Sequence, residues 1–205
     1  MEELFVQYCN EGEIERAKEL VRNSRFFSFS AFRRALKMRN TEILAWIMHT
    51  FPDSYSMCVA LNDDDAMTKW YLDRQPEKVA EVFMLACRYG CIATARWLSG
   101  NYDEDRLFDR LMTWPFRAAC EKGNLELAKW FVKTFPKYDI HEWEEDAFRW
   151  TCYAGQLEVV KWLLETFPKI NIRALNDMAF SWACKQGHLE IAKFLLEKCP
   201  ESKIN

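Results

Sequence analysis

The sequence predicts an all-α solenoid of about seven helix pairs set side by side, with longer loops in the C-terminal half. Three observations predict it. The first is repetition: "ACEKGNLELAKWFVKTFP" from Ala119 returns as "TCYAGQLEVVKWLLETFP" from Thr151 and as "ACKQGHLEIAKFLLEKCP" from Ala183. The second is that scarce residues share one frame. Five of the six Gly fall at one repeat position (Gly12, Gly90, Gly123, Gly155, Gly187), and five of the eight Cys at another (Cys9, Cys87, Cys120, Cys152, Cys184). Five of the nine Trp share a third (Trp46, Trp70, Trp97, Trp130, Trp162), and Phe precedes the Cys position by four residues at Phe5, Phe32, Phe83, Phe116, Phe148 and Phe180. The third is helical spacing within each unit. Phe180, Ala183, Cys184 and Gly187 follow i, i+3, i+4, i+7, one face of a first helix.

In chain order, units are expected at 1–25, 28–52, 54–76, 79–103, 112–136, 146–168 and 177–200. Their cores read "CNEGEIERAKEL" from Cys9, "LKMRNTEILAWI" from Leu36, "ALNDDDAMTKWY" from Ala60 and "CRYGCIATARWL" from Cys87. The remaining three are "CEKGNLELAKWF" from Cys120, "CYAGQLEVVKWL" from Cys152 and "CKQGHLEIAKFL" from Cys184. In each, a short first helix ends at the Gly, where left-handed backbone costs Gly little. The second and third units lack that Gly; in the third, "NDDD" from Asn62 is expected to cap the second helix. A second helix follows, with Leu189, Ala192 and Leu195 on one face of the last unit and Ile191 and Phe194 beside them. The repeat tryptophans are expected in the core. Pro52, Pro76, Pro136, Pro168 and Pro200 close units, since Pro cannot continue a helix interior. One hairpin cannot bury its apolar face alone, whereas neighbours stacked in a row make a continuous core. Measured at the Trp position, the steps are 27, 24, 27, 33, 32 and 32 residues. Early units therefore stack tightly, and late ones carry projecting loops such as "KYDIHEWEED" from Lys137 and "KINIRALND" from Lys169.

The chain has 205 residues, half of them hydrophobic, and a net charge of −3. A general nucleic-acid or anionic-membrane binder needs a basic surface, so no nucleic acid and no membrane is expected as a partner. No apolar run is long enough for a membrane span, and "MEELFVQYCNEG" lacks the parts of a signal peptide. An intracellular location with reduced thiols is expected. The repeat cysteines read as small core residues, not zinc ligands: Cys87 and Cys91 straddle the turn with no His nearby. Phosphate loops, nucleophile elbows and dinucleotide fingerprints are all missing, so neither enzymatic activity nor a cofactor or metal is expected.

These residues resemble ankyrin repeats, whose period is about 33 residues. The clearest piece is "GHLEIAKFLLE" from Gly187, similar to that family's second helix. The first helix departs from the family's Thr-Pro-Leu-His, reading "DAFRWTC" from Asp146 and "MAFSWAC" from Met178. With Trp in the second helix and a closing Phe-Pro, the pattern resembles the divergent ankyrin arrays that large DNA viruses encode in many copies. The match is good over roughly 79–200 and weak over 28–76. The resemblance implies an ankyrin-like fold and His188 in the turn position, hydrogen-bonded across it. It implies a host-cell protein partner or a place in the virion, and cytoplasmic location in the host. The chain ends in "CPESKIN", just after its last hairpin, so the C-terminal F-box-like segment of many viral relatives is not expected.

Trp150, Tyr153 and Trp182 lie opposite the Phe148–Cys152 face of their helices, with Trp150 and Trp182 at equivalent places. Two readings stand: a row of interface anchors, or rings that merely bridge adjacent hairpins. Arg88, Tyr89, Glu121, Lys122, Lys185 and Gln186 fill the variable first-helix ends around them. In ankyrin arrays this side is the concave binding surface. The pairs Glu15/Lys18, Glu126/Lys129, Glu158/Lys161 and Glu190/Lys193 read as a solvated outer stripe. The expected function is a non-catalytic protein–protein interaction scaffold, gripping a partner through the concave face and loop tips. The alternative is a structural or virion-associated component that self-assembles through its ends.

Overall fold

Apolar residues spaced three and four apart give each segment one greasy flank, and the structure pairs those flanks. It is a computed structural model that describes residues 1–22, 28–51, 55–62, 64–108 and 114–199. The helices are α1 (Glu2–Asn10), α2 (Ile14–Arg22), α3 (Ser28–Lys37), α4 (Thr41–Thr50), α5 (Ser56–Ala60) and α6 (Asp65–Leu72). They continue as α7 (Val79–Tyr89), α8 (Ile92–Asn101), α9 (Glu104–Leu107), α10 (Pro115–Glu121) and α11 (Leu125–Thr134). The last four are α12 (Glu142–Tyr153), α13 (Leu157–Thr166), α14 (Ala174–Lys185) and α15 (Leu189–Lys198). Among the described residues all regular structure is helical. First helices α1, α3, α5, α7, α10, α12 and α14 each pair with the helix that follows, and the short α9 lies between the α7/α8 and α10/α11 pairs.

Each first helix also packs on the next: α1 on α3, α3 on α5, α5 on α7, α7 on α10, α10 on α12 and α12 on α14. The second helices touch more lightly, as α6 on α8 and α13 on α15. One core runs through the row. All six repeat phenylalanines are buried in it, as are Cys87, Cys120 and Cys152. Cys9 and Cys184, in the first and last pairs, are half-buried. In the second helices the buried positions are adjacent residues plus the one a turn later: Leu127, Ala128 and Phe131 in α11, Val159, Val160 and Leu163 in α13, Ile191, Ala192 and Leu195 in α15. Full burial of each Leu, Ile, Val or Phe among them stabilises by about 1.5–3 kcal/mol.

Three expectations about the second helices and their ends need correction first. The repeat tryptophans are not core residues: Trp46, Trp70, Trp97, Trp130 and Trp162 are half-buried on the flank of the second helices, one position before the buried ones. Each of four stacks edge-on against an aromatic five residues later, as in Trp130 on Phe135 at 6.0 Å and Trp162 on Phe167 at 5.9 Å. Their spacing follows the buried face closely enough to be mistaken for it. Leu189 is likewise 62% exposed. Finally, Pro76 opens a short 3-10 turn leading into α7 instead of closing α6. Pro52 and Pro200 lie outside the described residues.

The glycine column marks a contact between neighbours as well as a turn. Gly155 has φ +78°, and a β-carbon there would lie 2.5 Å from the His188 ring. His188 Nε2 donates to the Tyr153 carbonyl at 3.0 Å, so it bonds back to the preceding pair and not across its own turn. Asn124 does the same two pairs earlier, its Nδ2 donating to the Arg88 carbonyl at 2.7 Å and the Cys87 carbonyl at 3.2 Å over Gly90. In these two pairs the side chain opening the second helix thereby satisfies orphan carbonyls that end the preceding first helix. In the second pair, which lacks the Gly, Arg39 takes the same left-handed conformation at φ 53°. Asp64 of the acidic run caps α6 by accepting from Met67 N at 3.1 Å; its neighbour Asp63 lies outside the described residues.

The long loops fold back instead of projecting. Tyr138 packs against Phe108, Phe116 and Phe131, burial pushing its phenol pKa up, and Ile170 is buried. Each loop then enters its helix through three left-handed residues, Trp143–Glu144–Glu145 before α12's regular part and Leu175–Asn176–Asp177 before α14's. Such residues cost roughly 1–2 kcal/mol apiece without compensation, so local bonds must hold them. Buried Glu145 accepts from Asn171 N at 3.1 Å and pairs with His141 Nδ1 at 2.9 Å; Asp177 pairs with Arg173 at 3.2 Å.

Candidate protein-binding face

The first helices place one residue per turn on the flank opposite the phenylalanine core, and stacking brings equivalent residues together. Trp150, Tyr153 and Trp182 meet in one cluster across α12 and α14. Their ring centroids are 5.2 Å (Trp150–Tyr153), 5.3 Å (Trp150–Trp182) and 5.5 Å (Tyr153–Trp182) apart. The rings do bridge adjacent hairpins, yet Tyr153 is exposed and both tryptophans are half-exposed. Bridging and presentation to solvent are thus the same arrangement: each ring fixes its neighbour and leaves a face open.

Arg88, Glu121 and Lys122 also come together. Arg88 Nη2 reaches Glu121 Oε1 at 3.3 Å across α7 and α10, with Lys122 Nζ 3.8 Å from the same oxygen. Tyr89 is exposed at the end of α7, and Lys185 and Gln186 are exposed at the end of α14. These last three join the aromatic cluster only by lying on the same end of the first helices. Of the expected outer pairs, Glu15/Lys18 closes at 2.8 Å, Glu158/Lys161 at 3.0 Å and Glu126/Lys129 at 3.6 Å.

Sequence reasoning missed the arginines beneath the rings. Arg117 and Arg149 hold equivalent positions two residues before Ala119 and Thr151. The Arg117 guanidinium lies 4.1 Å over Trp114 and 5.2 Å over Trp150, and its Nη1 donates to Asp146 Oδ2 at 2.9 Å. Buried Arg149 lies 5.8 Å over Trp182. It donates to the Trp143 and Glu144 carbonyls, each at 2.8 Å, and to Asp146 Oδ1 at 3.3 Å. It therefore cross-links the left-handed turn to the aromatic face. The signal was present as "FRAAC" and "FRWTC", but reading it needed the neighbour's tryptophan in view.

Chemically, this face offers flat aromatic surface over fixed guanidiniums, a basis for grip. Among the described residues, no three His, Cys, Asp or Glu side chains gather as a metal site would, and no helix is long and apolar enough to cross a membrane. The buried thiols of Cys87, Cys120 and Cys152 are pushed far above the ordinary cysteine range by desolvation, which disfavours the nucleophilic thiolate. No curated protein matches the chain. Residues 116–205, spanning α10 to α15, match the family model for ankyrin repeats in three copies, and the chain's fold is an ankyrin-like helical solenoid.

Proposed function

We propose that the array is a non-catalytic scaffold that binds a partner protein through the first-helix face and the loop tips. Ankyrin repeats generally mediate protein–protein interaction and are typically non-catalytic. The observation that carries the proposal is the half-exposed Trp150–Tyr153–Trp182 cluster, held rigid by mutual stacking and the arginines below. Preorganised aromatic anchors lose little entropy on binding and dominate interface energetics. Arg88, Tyr89, Glu121, Lys122, Lys185 and Gln186 form the polar border of that face. If the array is of the large-DNA-virus type, its partner is a host protein in the cytoplasm.

Affinity capture from cells tests the reading, comparing wild type with the Trp150→Ala/Trp182→Ala double variant. Loss of one or more captured proteins supports it; retention of every one sinks it. A second reading, self-assembly through the ends, draws support from exposed Met1, Leu4, Leu189 and Leu196 on the terminal pairs. Under it, the protein or a virion component would stack end to end. A sedimentation coefficient that rises with concentration supports that reading, and a strict monomer rules it out.

A further inference from the structure

The left-handed turns do something specific: they point equivalent apolar residues, Trp143 and Leu175, outward, at 69% and 40% exposure. Between them opens a groove whose apolar walls are Trp114, Trp143 and Leu175 and whose floor is Arg117, Asp146 and Arg149. The floor charges are engaged with one another. Asp146 takes bonds from both arginines, and Arg149 is buried beneath the turn. Glu144 lines this groove, and Asp139 and Glu142 line the adjoining pocket that shares Trp143; all three are exposed. Within 139–146 there is no Lys or Arg, and the other two carboxylates, Glu145 and Asp146, are held by internal partners. Among the described residues, Glu142 and Glu144 have no ion-pair partner. An open indole flanked by two unpaired carboxylates is a receptor for a cation, because ring face and charge attract it together.

We propose that this groove docks a basic, apolar-containing peptide segment of the partner. A Lys or Arg of the segment sits on Trp143 between Glu142 and Glu144, and a neighbouring aliphatic side chain fills the space between Trp114 and Leu175. This rests on the protein-binding reading above and names the partner's chemistry at the loop tips. An acidic segment is disfavoured because the exposed rim would repel it.

The test uses short synthetic peptides that alternate Leu with Lys, Glu or Ser, titrated into the full chain. The readout is the Trp143 indole N–H resonance, assigned by its disappearance in Trp143→Phe. The Lys–Leu peptide is expected to shift that resonance, more weakly as salt rises, and the Glu–Leu peptide is not. Glu142→Gln/Glu144→Gln should weaken the Lys–Leu peptide about tenfold without changing the helical signal. An equal or larger response to Glu–Leu or Ser–Leu, no response to Lys–Leu up to millimolar concentration, or undiminished affinity in the double variant overturns the proposal. Such a failure leaves the first-helix reading standing if Trp150→Ala/Trp182→Ala still loses captured proteins, so the two failures are distinguishable.

Discussion

Gly155→Ala isolates the contact that ties one helix pair to the next. Two penalties follow from the structure. Alanine must adopt φ near +78°, which costs about 1 kcal/mol. Its methyl must also occupy space 2.5 Å from the His188 ring, which displaces the imidazole from the Tyr153 carbonyl and forfeits a bond of about 1 kcal/mol. The sum is about 2 kcal/mol, read as a lower midpoint in urea unfolding followed by circular dichroism. A double-mutant cycle separates the two penalties. In a His188→Ala background the methyl has nothing to displace, so the same substitution should cost only about 1 kcal/mol. Equal costs in both backgrounds would show that His188 does not couple the two pairs, and the reading of the glycine column as an inter-pair contact would fall.

Other consequences can be checked separately. Arg39→Gly relieves a left-handed arginine and should stabilise by about 0.5–1 kcal/mol, since its exposed 2.9 Å pair with Asp64 contributes little; a loss in melting temperature would contradict this. Arg149→Met removes the donors that hold the Trp143–Glu145 turn and should destabilise by about 2–3 kcal/mol, with altered near-ultraviolet tryptophan signal. Cys87, Cys120 and Cys152 keep their protons when folded, and an unfolded thiol loses its own near pH 8.5. The contribution of these thiols is therefore constant below that pH, and stability falls above it by about 1.4 kcal/mol per pH unit per thiol, until the folded groups titrate. A denaturation series from neutral pH to mild alkali measures this, and flat stability would contradict it. Removing α14 and α15 should leave a shorter helical array, because the substantial contacts among the described residues join neighbouring pairs; complete loss of helical signal would contradict a solenoid.

Repetition made most of the fold legible. Phe, Cys and Gly recur because stacking imposes the same environment on each pair, so six phenylalanines share one buried fate. What repetition could not convey was which side of a recurrent residue faces out. Trp130 recurs as faithfully as Phe131, yet the first is half-buried and the second fully buried, because a hundred-degree step separates neighbours on a helix. The loops were legible as long but not as folded back, since the left-handed turn depends on Arg149 reaching it from within α12 and on Glu145 reaching Asn171. At the candidate binding face, Trp150 and Trp182 were visible from their equivalent spacing. Arg117 was not, because its role comes from contacts with Trp114, Trp150 and Asp146 rather than from its own unit.

Hydrogen exchange on the complex with a captured partner tests the central claim most directly. The account predicts slowed exchange in α10, α12 and α14 and in the loop over 139–146, with α11, α13 and α15 unchanged. Protection confined to the second helices would place the grip on the opposite flank and contradict it.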